Sequence, residues 1–273
     1  MVWQQDVRVI VMLTAEKEGG QVKAHNYWED RQYGPFSLHF LSEHRATLEP
    51  SKIHRPSMKE RPSMGRKRST TTSANKLPEP EPVSPGSDQP YVVVRRFALS
   101  YANEPFERMR EITQLQYSNW PDFGAPAHPA HLLGLVEQCD AVVRSQQGIH
   151  SSSPVPADAR PILVHCSAGC GRTGTFCTVD TVIDMLKRQR ISQHGRRPSQ
   201  MDIDEDGNKP RNNSIPNGGD PSWLMKDDTD LIEKTVEEFR LQRLSMVQSL
   251  RQFVLCYESV LEWLVEQQSP RTA

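Results

Sequence analysis

Cysteine is scarce in these 273 residues. Cys139, Cys166, Cys170, Cys177 and Cys256 are too few and too scattered for a disulfide framework, so a reducing, intracellular compartment is the expectation. No cysteine keeps zinc-ligand spacing with another or with a histidine, since His165 and Cys166 are adjacent. No apolar run approaches the ~18 residues of a spanning helix. The first apolar stretch holds Asp6 and Arg8, unlike a signal peptide. An excess of one charge is missing too. With 33 basic and 34 acidic residues the net charge is −1, which gives no field to draw nucleic acid or an anionic membrane, and neither is expected as a partner. Hydrophobic residues make up only 36% of the chain, low for a compact domain. The 21 prolines cluster, so a folded core interrupted by long polar segments is expected.

What is present alternates between strand and helix patterns. Residues 7–13 (VRVIVML) read as a buried strand. Residues 23–33 mix polar and aromatic side chains and read as hairpin-like. From about 42 to 90 the chain is rich in Pro, Ser and Thr, basic at first (Arg66-Lys67-Arg68 included) and ending in a Pro/Glu run, a pattern expected of a disordered insertion. Strands are expected at 91–99 (YVVVRRFAL), 112–117 and 162–164. Helices are expected at 129–146, from about 173, at 229–243 and at 249–267, each with apolar residues at helical spacing. A second polar insertion is expected over about 192–222. The alternation implies an α/β core in one domain, residues 1–268, carrying two insertions.

One stretch carries chemistry: residues 162–174, ILVHCSAGCGRTG. A buried strand delivers Cys166, a turn containing Gly169 and Gly171 follows, and Arg172 opens a helix. Glycines let backbone N–H groups converge without Cβ obstruction, and converging N–H groups make an anion-sized nest. The helix aims its positive end at the same point, and the Arg172 fork matches a phosphate. The nest is formed by Ser167, Ala168, Gly169, Cys170, Gly171 and Arg172. A thiol at its floor is driven toward thiolate. The pattern is a nucleophile facing a bound dianion whose charge the loop neutralises.

The run His165-Cys166-x5-Arg172-Thr173 is the signature of the cysteine-dependent protein tyrosine phosphatases, and the chain resembles the tyrosine-specific, non-receptor members, with insertions similar to fungal ones. The implied fold is a twisted mixed sheet flanked by helices. Residues 119–126 (NWPDFGAP) resemble the family's mobile acid loop, with Asp122 as general acid. Residues 245–252 (SMVQSLRQ) resemble its glutamine loop. There Gln248 positions the attacking water and Gln252 supports it, while Ser245 replaces the glycine of some members. Glu18 resembles the residue that holds the arginine, and Lys23 the partner of the acid-loop Asp. His165 is expected to orient the loop and help lower the thiol pKa, and the Thr173 hydroxyl to bond the departing thiolate. Cys170 is a candidate to trap an oxidised Cys166, or simply a small packed residue. No metal or organic cofactor is implied.

The resemblance runs from Trp3 to about Glu266. Family members carry an earlier segment with a phosphotyrosine-recognition loop, so the chain is expected to lack about the first third of the domain. Three activities stay open: phosphotyrosine hydrolysis through a phosphocysteine, a non-catalytic phosphate-binding or scaffolding fragment, and a dual-specificity phosphatase. Expected partners are tyrosine-phosphorylated proteins, with a mitogen-activated protein kinase suggested by fungal relatives. The cytoplasm is the expected compartment. The basic run at Arg66-Lys67-Arg68 reads either as a docking or nuclear-import signal or as a solvated stretch.

Overall fold

The computed structural model describes residues 1–29, 31–53, 89–104, 106–147, 155–156, 159–195 and 228–268. The strands are β1 (Val9–Met12), β2 (Lys17–Glu18), β3 (Gln21–Val22), β4 (Arg31–Tyr33), β5 (Phe36–Thr47), β6 (Tyr91–Tyr101), β7 (Arg110–Gln116) and β8 (Ile162–His165). The helices are α1 (Pro50–Ile53), α2 (Pro129–Gln147), α3 (Gly171–Gly195), α4 (Leu231–Gln242) and α5 (Leu250–Gln268). Six strands form one sheet in the order β4-β5-β6-β7-β1-β8. Strands β7 and β8 flank β1 in parallel, and the remaining pairs are antiparallel. Among the described residues no helix is long and apolar enough to cross a membrane.

The central strand shows why the sequence reads this way. All four residues of β1 are buried, because parallel neighbours flank it and both sheet faces are covered. Val9 and Val11 face the core shared with α2, α3 and α5. Ile10 points to the opposite face, among Trp3, Phe97 and Ile112. Burying each such side chain contributes about 1.5–3 kcal/mol.

The first insertion begins later than expected. Strand β5 continues to Thr47, and Ala46, Leu48 and Ile53 are buried. The stretch after 42 looks like a loop because its polar residues find partners across the sheet: Glu43 accepts from Arg95 at 2.5 Å, and Arg45 lies over the Tyr91 ring at 4.3 Å. A bulge also hides the period. Phe40 pairs with Phe97 and Ser42 with Arg96, so Leu41 is the extra residue. One extra residue reverses the alternation, and Leu38 and Ala46, of equal parity, enter opposite cores. Helix α2 rests directly on the chain leaving β5, where a Cβ on Gly134 would stand 1.9 Å from the Leu48 carbonyl oxygen.

The hairpin expected at 23–33 is shifted. One hairpin lies before it, β2 with β3, turning on Gly19 and Gly20, both at positive φ. The other, β4 with β5, lies at its end. Helix α3 runs to Gly195, four residues into the stretch assigned to the second insertion. The rest of both insertions, 54–88 and 196–222, with Arg66-Lys67-Arg68, lies outside the described residues.

The topology decides where chemistry is possible. Met12 pairs with Gln116 on one side and His165 on the other, so three parallel strands end together. The segments that follow them, 13–23, 117–126 and 166–171, converge at one sheet edge, where open α/β sheets place their ligands.

Candidate active site

Cys166 follows β8 directly and is buried. The turn beyond it needs Gly169 at φ +70, where a Cβ would also stand 2.7 Å from Arg243 Nη1. Burial pushes the thiol pKa up, but the Thr173 hydroxyl and the N–H groups of Thr173, Cys170 and Gly169 outweigh it, and the net shift is downward. The Thr173 hydroxyl donates to the sulfur at 3.3 Å. Thus the expected nest converges on sulfur through Gly169 and Cys170, with Thr173 supplying a further amide. Ser167 and Ala168 are exposed at the rim. Gly171 lets the glutamines approach, since a Cβ there would lie 2.9 Å from Gln248 Oε1 and from both polar atoms of the Gln252 carboxamide.

Arg172 is 1% exposed. Its Nη1 donates to Glu18 Oε1 at 2.6 Å and to the Trp120 carbonyl at 2.8 Å, and its Nη2 to Asp122 Oδ1 at 3.3 Å. Among the described residues its Nε has no partner. The guanidinium is therefore fixed from one side with a donor to spare, as a site for an anion requires. Glu18 also accepts from the Thr14 hydroxyl at 2.6 Å. Burial raises its pKa, but Arg172 and Thr14 lower it further, and the carboxyl sits below its ordinary value.

Asp122 stands between two cations, since its Oδ2 also pairs with Lys23 Nζ at 3.1 Å. The Trp120 indole is fully buried and donates to the Gly124 carbonyl at 2.9 Å, which closes the turn. Beside this turn a cleft of about 500 Å³ is lined by Glu18, Lys23 and residues 118–122. Gln252 is buried, and its Oε1 accepts from the N–H groups of Gln248 at 3.0 Å and Ser249 at 3.3 Å.

His165 differs in detail from the expectation. Its Nδ1 lies 3.3 Å from the Cys166 carbonyl, not from the sulfur, and burial lowers its pKa. A neutral imidazole holds the loop's backbone and lends the thiolate no full charge. The Cys170 sulfur donates to the Ala168 carbonyl at 3.5 Å.

Several contributors escaped the sequence reading. His165 Nε2 lies 2.7 Å from the Tyr27 hydroxyl, which accepts from Gln114 Nε2 at 2.7 Å. Arg95, buried and packed on Trp28, donates to Gln114 at 3.0 Å and to Gln116 at 2.6 Å. Gln116 Nε2 donates to the Thr14 carbonyl at 3.0 Å. Two chains of hydrogen bonds thus leave Arg95, one ending on the Cys166 backbone and the other, through Thr14 and Glu18, on Arg172. The available signal was a pair of glutamines at alternate positions, Gln114 and Gln116, at the end of a strand where burial is expected, because buried carboxamides need partners. Arg243 was missed as well. It donates to the carbonyls of Ala168 and Gly169 at 3.2 and 3.1 Å.

Such a strand–cysteine–loop–helix with a fixed arginine, on a mixed sheet flanked by helices, is the arrangement of a protein-tyrosine phosphatase catalytic domain. The profile of the protein-tyrosine phosphatase family matches residues 1–73 and 81–216, and the chain belongs to that family. Gln248 and Gln252 lie beyond the matched stretch. The chain is 25% identical over 97% of its length to the tyrosine-protein phosphatase corkscrew of Drosophila virilis, and 27% identical over 96% to the rat tyrosine-protein phosphatase non-receptor type 9. It spans 24% and 31% of those proteins. The crystal structure of the catalytic domain of human protein tyrosine phosphatase non-receptor type 18 shares the fold, with a TM-score of 0.55 at 24% identity, over 96% of this chain and 62% of that one.

Proposed function

We propose that the chain hydrolyses phosphotyrosine in proteins through a phosphocysteine intermediate. The supporting observation is a thiol of lowered pKa at one end of a loop whose other end is Arg172, a buried guanidinium whose Nε has no partner among the described residues. In the first step Cys166 Sγ attacks phosphorus, the P–O bond to tyrosine breaks, and Asp122 gives its proton to the leaving oxygen. In the second, a water held by Gln248 attacks phosphorus while Asp122 takes its proton. The P–S bond breaks, and the thiolate returns under the Thr173 hydroxyl with release of inorganic phosphate. The loop N–H groups and Arg172 stabilise the charge of both transition states.

The substrates we infer are tyrosine-phosphorylated proteins in the cytoplasm or nucleus, a mitogen-activated protein kinase among them. Turnover of an aryl phosphate by the purified chain tests the activity, and its absence with retained phosphate binding would leave a binding fragment. Equal rates on phosphotyrosine and phosphoserine peptides would make it a dual-specificity enzyme. Capture of a phosphorylated kinase by the Asp122→Asn variant tests the partner.

A further inference from the structure

Ser249 does something that neither loop resemblance assigns. It is the residue before α5 and lies 126 positions from its partner. Its hydroxyl donates to the Phe123 carbonyl at 2.9 Å and accepts from the Gln252 N–H at 3.2 Å. One hydroxyl has one proton to give and lone pairs to receive, so both bonds form at once. The first lands on the residue after Asp122. Phe123 holds φ 56, an uncommon conformation for a bulky side chain, and its ring is 62% exposed. The backbone is therefore held there by its surroundings and not by packing of the Phe123 ring. The second bond reaches the glutamine that braces Gln248 through its N–H.

We propose that Ser249 is a positioning residue, a latch that holds the acid loop over the cysteine loop and ties it to the water-positioning glutamines. Without the latch the acid loop samples positions from which Asp122 does not reach the leaving oxygen. The cysteine loop keeps its own anchors, Arg243 and the Val247 N–H on the Cys170 carbonyl. The inference rests on the phosphatase reading.

The test compares Ser249→Gly, Ser249→Ala and Ser249→Thr with the unaltered chain. Glycine replaces a serine cap at little cost to the helix but has no hydroxyl to donate, whereas alanine loses both functions, and threonine keeps both. With a phosphotyrosine peptide, Ser249→Gly and Ser249→Ala should lower kcat/KM about two- to tenfold. With an aryl phosphate whose phenol leaves as the anion, kcat/KM, which reports the first step and not the shared hydrolysis of the phosphocysteine, should fall far less, and Ser249→Thr should restore both. In an Asp122→Asn background, Ser249→Gly should add no further loss. Hydrogen exchange of a peptide covering 118–126 should be faster in the glycine variant and normal in the threonine one, a readout that needs no turnover. An equal loss of kcat/KM on both substrates, or unchanged exchange, overturns the latch while the phosphatase reading stands. An unaltered chain that hydrolyses neither substrate overturns the reading, and the latch's catalytic part with it.

Discussion

The cysteine loop and the acid loop meet at Arg172 but are held in opposite ways. The cysteine loop hangs between a strand and a helix, and each fixes one end: Leu13 N–H donates to the His165 carbonyl at 2.8 Å beside the sheet, and Gly174 N–H to the Cys170 carbonyl at 2.8 Å in the first turn of α3. Arg243 and Val247 close it from behind. The acid loop is anchored in the core only at its ends, by Trp120 and by Ala125 and Pro126, and between them Pro121, Asp122 and Phe123 are exposed. It is otherwise held by single bonds from Lys23, Arg172 and Ser249. A nest that stabilises charge must be built before the substrate arrives. A loop that delivers a proton must open and close, and so rests on few contacts.

The sharpest way to break the contrast is to remove the nucleophile. Cys166→Ser should abolish turnover, because an alcohol in that nest stays protonated, yet a phosphopeptide should still bind by calorimetry. Measurable hydrolysis would end the role assigned to Cys166. Removing the acid tests the other loop. In kcat/KM, which reports the first step, Asp122→Asn should cost phosphotyrosine about 10²–10⁴-fold and a good leaving group far less. An equal loss of kcat/KM on both would make Asp122 a structural turn residue.

Arg172→Lys touches both loops at once. An ammonium cannot hold Glu18, the Trp120 carbonyl and a phosphate together, so losses of about 10²–10³-fold in kcat/KM are expected. A near-normal rate would refute the fork argument. Thr173→Ala affects the cysteine loop alone. The thiol pKa lies below its ordinary value partly because this hydroxyl favours the thiolate, so its removal raises the pKa. Thiolate then forms only at higher pH. The acid limb of kcat/KM and of alkylation by iodoacetate should both move up, with the alkaline rate unchanged. A profile that did not move would place the thiolate's support elsewhere.

The smallest effects should separate the loops by stability. Gly169→Ala forces a side chain into positive φ against Arg243 and should cost about 1–2 kcal/mol in urea unfolding. Gly124→Ala on the acid loop, where the glycine is not at positive φ, meets the exposed Pro121 ring at 2.9 Å and makes it shift, and should cost less, about 0.5–1 kcal/mol. Equal costs would mean that the acid loop is as rigid as its partner.

By itself the sequence determined much that is local: the buried run of β1, the helical stripes of α2 and α5, and the passage from strand through Cys166 to Arg172. In these, residues a few positions apart set the backbone, and the backbone sets the N–H groups. Only the tertiary structure decided the rest. It carried β5 on to Thr47, because the Glu43–Arg95 pair and the pairing with β6 resumed after the bulge at Leu41 make a strand of a loop-like stretch. It also joined Tyr27 to His165 and Ser249 to Phe123, 138 and 126 residues apart in the chain. Each of these polar residues is ordinary in its own segment and acquires a role only when the fold brings it a partner. No local pattern records such a partner, since hydrogen bonds depend on distance in space and not on separation along the chain.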